Sequence, residues 1–307
     1  MPLGLGTSLG FPSSQYPASP EAPRPLDIFG GATPAFAYGL RLLRGGYTGY
    51  AVRLRRDADD IEVEVKFDGA GNVSLDSAVV DGGTEQTGSV TGGTYSGTTL
   101  SAFAGSDTCR VVKWYDQSGN GRDAFQTVEA IQPILITSGT LEADGIHFDG
   151  TDDYLQANYK LTTTNDNTIH AVCKTDSNGT FGIFSNIDGS YNDGTELITL
   201  SGQFSYRIDA TDLDVSATTT NKHYLLASYE TALGSNEQQM RVNGTLSQGN
   251  CTETTAHNTA NRIRVGARRD SDNDLDGKIA EVMVWNSKVV TAHQLVLEDN
   301  TMTHFGL

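Results

Sequence analysis

From Tyr50 onward, short runs of alternating apolar and polar residues recur between turn clusters, and this rhythm constrains the fold more than any other feature. A strand places successive side chains on opposite faces, so period-two alternation marks a strand with one buried face. Val52 and Leu54 alternate with arginines, and Ile61, Val63, Val65 and Phe67 alternate with polar partners. The intervening Asp57–Asp60 reads as a hairpin turn, and Val111–Tyr115 is a further strand. Strand runs then follow at Pro133–Thr137, Gly145–Phe148, Thr168–Lys174, Phe181–Asn186, Glu196–Leu200, Phe204–Asp209, His223–Tyr229, Gln238–Val242, Arg262–Ala267 and Lys278–Trp285. Turn residues such as Asn243-Gly244 and Asp276-Gly277 separate several of them. Many short strands at this spacing predict an all-β sandwich.

Two segments break the rhythm. Thr33–Gly45 carries Pro34 at a first-turn position and Ala37, Leu40 and Leu43 at helical spacing, which predicts a short helix near the N-terminus. Thr291 to about Met302 predicts a C-terminal helix, with Thr291 as its cap and Leu295 and Val296 on one face.

Residues 1–25 hold six of the chain's eight prolines. Each proline removes a backbone donor and fixes φ, so this stretch is expected to be an extended arm, with residues 26–307 forming one domain. The arm is either a free tail or a strap that docks on a neighbouring subunit and drives homo-oligomer formation. The first residues lack a basic region followed by a long apolar run, so the pattern is not that of a secretory signal. No apolar stretch is long enough to span a membrane.

The formal charge of −17 repels phosphate backbones and argues against nucleic acid as a partner. Three cysteines, Cys109, Cys173 and Cys251, allow at most one bridge, so the fold must rest on its core.

Two blocks carry resemblances. The first runs AYGLRLLR at 37–44, YTG at 47–49, VRLRR at 52–56 and CRVVKWYDQSGNGRDA at 109–124. It resembles the opening of the catalytic domain of the arabinofuranosidase B family (glycoside hydrolase family 54), with YDQSGNG at 115–121 as the specific part. The second block is GIHFDGTDDYL at 145–155, with RIRVGARRD at 262–270 and DGKIAEVMVWN at 276–286. It is similar to the ends of laminin G-like, concanavalin A-like domains. Together the resemblances imply a concanavalin A-like jelly-roll β-sandwich, a fold that hosts lectins, hydrolases and structural modules alike.

The arabinofuranosidase resemblance implies two carboxylates about 5 Å apart, one nucleophile and one acid/base. It puts Glu196 in the first role and Asp270 in the second. The alternative is that Glu196 is a surface strand residue and Asp270 a loop residue. The family also has a pair of adjacent cysteines near its nucleophile, whereas Cys173 stands alone. Asp270, Asp272, Asp274 and Asp276 alternate through one loop and could wrap a calcium ion, although an EF-hand register fails at its twelfth place, Met283. The alternative is an acidic hairpin loop, and no cofactor is required. The YDQSGNG loop reads as structural, because Asp116 can bond the loop's own N–H groups. Sugar binding wants an aromatic platform beside planar polar groups. Tyr191, Asn192, Tyr206 and Arg207 are the candidates.

The expectation is therefore a non-catalytic carbohydrate-binding or structural module of a virion, such as a bacteriophage tail, fibre or capsid decoration protein. Its partners would be a glycan or cell-surface polysaccharide and, through the arm, other virion subunits. Outside a virion, it would be extracellular or at the cell surface by a non-classical route. The alternative is a retaining α-L-arabinofuranosidase.

Overall fold

The computed structural model describes residues 23–28, 33–81, 95, 98–161, 166–187, 194–235, 237–251, 262–268 and 273–307. The strands in chain order are β1 (Phe36–Gly39), β2 (Val52–Arg56), β3 (Glu62–Val65), β4 (Val79–Asp81), β5 (Cys109–Trp114), β6 (Ala124–Phe125) and β7 (Ile134–Thr137). There follow β8 (Thr140–Leu141), β9 (Ile146–Asp149), β10 (Leu155–Ala157), β11 (Asn167–Thr175), β12 (Phe181–Ile187), β13 (Gly194–Leu200) and β14 (Gln203–Ile208). The last are β15 (Thr211–Val215), β16 (His223–Tyr229), β17 (Gln238–Val242), β18 (Thr245–Gly249), β19 (Ile263–Val265) and β20 (Asp276–Trp285). Among the described residues two α-helices accompany them, α1 (Leu100–Ala104) and α2 (Thr291–Phe305). Among the described residues, no helix is long and apolar enough to cross a membrane.

The pairings are all antiparallel and form two layers. The first runs β15-β14-β13-β12-β19-β10-β6-β5-β2-β3-β4. The second runs β18-β17-β16-β11-β20, whose far edge carries β1 and, one stretch along, β9. Strand β7 pairs with both β5 and β9 and so stitches the layers together. Between them lies one core, to which Phe184, Leu197, Phe204 and Tyr206 contribute from the first layer and Ile169, Ala171, Val282 and Val284 from the second. Each Val, Leu, Ile or Phe side chain among them contributes about 1.5–3 kcal/mol on burial.

A smaller apolar cluster covers the outside of the second layer, where Leu297 of α2 meets Tyr224, Leu226, Met283 and Trp285. A buried charge network pins the helix there. Arg41 Nε donates to Glu281 Oε2 at 2.6 Å, while its two Nη atoms reach Asn300 and Thr301 of α2. His170 Nε2 lies 2.7 Å from Glu281 Oε1.

The helix expected at Thr33–Gly45 is absent, and Phe36–Gly39 instead forms β1 against β20. All four residues of β1 are buried, with Phe36 and Tyr38 in the main core and Ala37 in the outer cluster. A strand buried on both faces loses its alternation, which is why Ala37, Leu40 and Leu43 mimic helical spacing. In α2 the cap is Val290 rather than Thr291. Leu295 and Val296 face solvent, and the buried residues are Gln294, Leu297, Glu298 and Thr301.

The three cysteines are free and buried. Residues 1–22 of the expected arm lie outside the described residues. Its end is seated on the sandwich, where Asn300 Nδ2 donates to Pro23 O at 2.9 Å, and the adjoining Leu26 N donates to Leu43 O at 2.8 Å.

Candidate functional site

Directly opposed residues of antiparallel strands share a face, so the registers of the first layer trace one row across its outer surface. At one end of the row stand Asp212, Arg207, Glu196, Ser185 and Arg264, each opposite the next. It continues through Gln156, Phe125, Lys113, Arg53 and Glu64. Seven of these ten residues are charged, on a face that turns away from the core.

The first end of the row is a closed ion cluster. Glu196 is fully buried. Arg268 Nε donates to its Oε1 at 3.1 Å and Arg268 Nη2 to its Oε2 at 2.6 Å. Ser185 Oγ adds a bond at 3.2 Å. Arg207 stands 4.0 Å away and is itself held by Asp212 through bonds of 2.5 and 2.7 Å. Next along, the Arg264 guanidinium stacks on the Tyr154 ring at 4.7 Å. The far end is closed as well: Arg53 Nε donates to Glu64 Oε1 at 2.8 Å, and so does the Tyr115 hydroxyl.

Between these closed ends the row opens into a cavity of about 360 Å³. Lys113 and Phe125 come from the row itself, and Val112, Gly121, Arg122, Asp123, Thr127 and Asn158 complete the lining. Arg122 lies over the Tyr159 ring at 3.7 Å, and Lys113 over the Tyr115 ring at 5.3 Å. The cavity is therefore lined by one half-buried aromatic ring, cations, a carboxylate and an amide within a small volume, the mixture that orients polyhydroxylated ligands.

The YDQSGNG loop fixes this wall. Asp116 Oδ1 accepts from Ala37 N (2.9 Å) and Ser118 N (2.8 Å), and its Oδ2 accepts from Arg122 N (3.0 Å) and Ser118 Oγ (2.8 Å). Gln117 Oε1 accepts from Leu43 N, while its Nε2 donates to Gly39 O and Arg41 O. Gly119 and Gly121 supply the positive φ values, 92° and 69°, that let the chain turn around these groups. The loop is structural, as its residue types suggest, and it delivers Arg122 to the cavity.

A model of the concanavalin A-like lectin/glucanases superfamily matches residues 149–295. The fold is concanavalin A-like. Among solved structures, this sandwich is similar to a family 54 α-L-arabinofuranosidase soaked with a cyclic sulfate inhibitor, with a TM-score of 0.60 and 15% identity. A mutant of such an enzyme soaked with 4-nitrophenyl α-L-arabinofuranoside gives 0.62 at 15% identity. An arabinofuranosidase complexed with arabinofuranosyl-α-1,2-xylobiose gives 0.56 at 14% identity. Each likeness covers 90% of this chain but 64% of the other, so the chain spans less than two thirds of those proteins. At such identity the likeness is one of fold. No curated protein sequence matches the chain.

The residues singled out in the sequence fall in different places on the concanavalin A-like frame. Glu196 and Arg207 stand side by side in the row. Glu196 is not the surface strand residue of the bland alternative, since its carboxylate is buried against Arg268. Tyr206 points the other way, into the core, and donates to Asn167 Oδ1 at 2.6 Å, so it presents no sugar platform. Asp274 is buried, and Asp276 accepts from Ser177 Oγ. Tyr191, Asn192, Asp270 and Asp272 lie outside the described residues. The cavity residues Lys113, Arg122, Phe125 and Asn158 were not singled out. They come from β5, from the segment leading into β6, from β6 itself and from beyond β10, and no sequence spacing relates them.

Proposed function

We propose that the chain is a non-catalytic carbohydrate-binding module. The observation that carries this reading is the cavity of about 360 Å³ between the two closed ion clusters, where Phe125 lines the wall beside Lys113, Asp123 and Asn158. The clasp on Glu196 supports the non-catalytic part. A nucleophile must be reachable by the anomeric carbon, whereas Glu196 is fully buried and clasped by Arg268 through both of its oxygens. The setting that belongs to this reading is a virion surface, with the proline-rich arm joining copies or neighbouring subunits.

Two assays on one preparation test it: retention on immobilised polysaccharides, including arabinan and arabinoxylan, and turnover of an aryl α-L-arabinofuranoside. The reading expects retention without turnover. Turnover abolished by Glu196→Gln in a folded protein would replace it with the retaining hydrolase. For the arm, light scattering of the full chain against a chain lacking residues 1–22 should show a smaller assembly after truncation.

A further inference from the structure

A second cluster, away from the charged row, lies where β9 turns toward β10. Asp149 ends β9, and Asp152 and Asp153 follow in the loop DGTDD. A carboxylate oxygen from each lies within 4.8 Å of those of the other two. The backbone enforces this meeting. Gly150 N donates to Leu275 O at 3.0 Å, and Gly150 adopts a φ of +76° with Asp276 so close that a Cβ would lie 2.8 Å from its Cβ. Asp149 Oδ1 then accepts from Thr151 N at 2.9 Å, and Asp153 Oδ2 accepts from Asp149 N at 3.3 Å.

Asp149 and Asp152 are exposed, but Asp153 is 0% exposed. Its Oδ1 is buried and has no hydrogen-bond partner among the described residues. A buried carboxylate oxygen without a hydrogen-bond donor, on a side chain grouped with two more carboxylates, is an arrangement that a cation relieves.

We infer that Asp149, Asp152 and Asp153 form a binding site for a divalent cation of the calcium type. The cluster offers hard oxygens only, with neither His nor Cys, which disfavours zinc. Two of its carboxylates open to solvent, so water can complete an irregular shell of six to eight oxygens, which calcium accepts and magnesium does not. The site is not the one the alternating aspartates of 270–276 suggest. Asp276 stands opposite Asp149 in the β9–β20 ladder, yet its carboxylate accepts from Ser177.

The test uses the full chain stripped with EDTA and dialysed. Calorimetric titration with calcium chloride should show one site per chain, and the melting temperature should be higher in calcium than in EDTA. Asp152→Asn, at an exposed position, should keep the fold and weaken binding by about tenfold or more. Asp153→Asn should abolish binding and raise the melting temperature in EDTA, because it removes a buried carboxylate that crowds two others. The inference is overturned by no heat together with equal melting temperatures, or by calcium affinity unchanged in Asp152→Asn. It is equally overturned if Asp272→Asn, with Asp152 intact, removes the binding, since the ion would then belong to the 270–276 loop.

Discussion

Arg268 holds Glu196 by two parallel bonds, 3.1 Å from Nε to Oε1 and 2.6 Å from Nη2 to Oε2, across 72 residues of sequence. Both side chains are buried, at 6% and 0% exposure. Removing one partner strands the other charge in a buried position. Glu196→Gln should therefore lower unfolding stability by about 3–5 kcal/mol. Urea denaturation measures this directly. A variant as stable as the parent would mean that the pair is not what occupies Glu196.

The charge network beneath α2 makes stability depend on pH. Burial would raise the Glu281 carboxyl, but Arg41 and His170 outweigh it and draw the group down to about 2. Burial holds the His170 imidazole below its ordinary value, Arg41 adds to that, and Glu281 opposes it. Both groups are depressed in the folded state, so their contribution is present at neutral pH and is lost on acidification. The loss starts near the ordinary imidazole value of about 6.5, with a His170 slope of up to about 1.4 kcal/mol per pH unit. It continues with Glu281 from about 4.5 down toward 2. Denaturation midpoints at pH 7.5, 6.0 and 5.0 should fall in that order, and His170→Gln should flatten the change between 6.5 and 5.0.

Asp116 accepts four hydrogen bonds inside its own loop and from β1. Asp116→Ala leaves those donors facing a void and should cost at least about 3 kcal/mol. Asp116→Asn keeps one acceptor oxygen but aims an amide at N–H donors, so it should fall between parent and alanine. If Asp116→Ala melts with the parent, the loop does not clasp β1 as described.

The cysteines should be silent in the native protein. All three are buried, and burial pushes the Cys109 thiol up to about 12. Reaction with a chromogenic disulfide reagent should release nothing in buffer and three equivalents in guanidinium. One equivalent in buffer would mean that one of the three sits in a segment that opens.

How much of this could be read from the sequence depends on where each side chain's partner lies. Gln238–Val242 was legible to the residue, because the turn chemistry that ends it is local: Asn243 and Gly244 take φ values of 44° and 86°. Asp57–Asp60 was legible for the same reason, with Asp60 at a φ of 58°. Phe36–Gly39 was not, since it is buried on both sides by elements more than 60 residues away and its pattern lost its period. The site was less legible still. Glu196 drew attention as a carboxylate, but its meaning depends on Arg268 and Ser185, which only the sheet registers bring to it. The cavity joins Phe125 of a two-residue strand to Lys113 and Asn158, and strands that short leave no periodicity to read.

The central claim is that the cavity beside Phe125 binds carbohydrate. The most direct measurement is the affinity of the full chain for a polysaccharide that retains it, compared with that of Phe125→Ala. Phe125 is half-buried at the cavity wall and outside the main core cluster, so the variant should fold with a melting temperature close to the parent's. Loss of one ring contact of about 1–2 kcal/mol predicts affinity reduced by roughly 5- to 30-fold, with no aryl arabinofuranoside turnover in either protein. Equal affinity for parent and variant, in a folded sample, would contradict the account and move the glycan elsewhere on the sandwich.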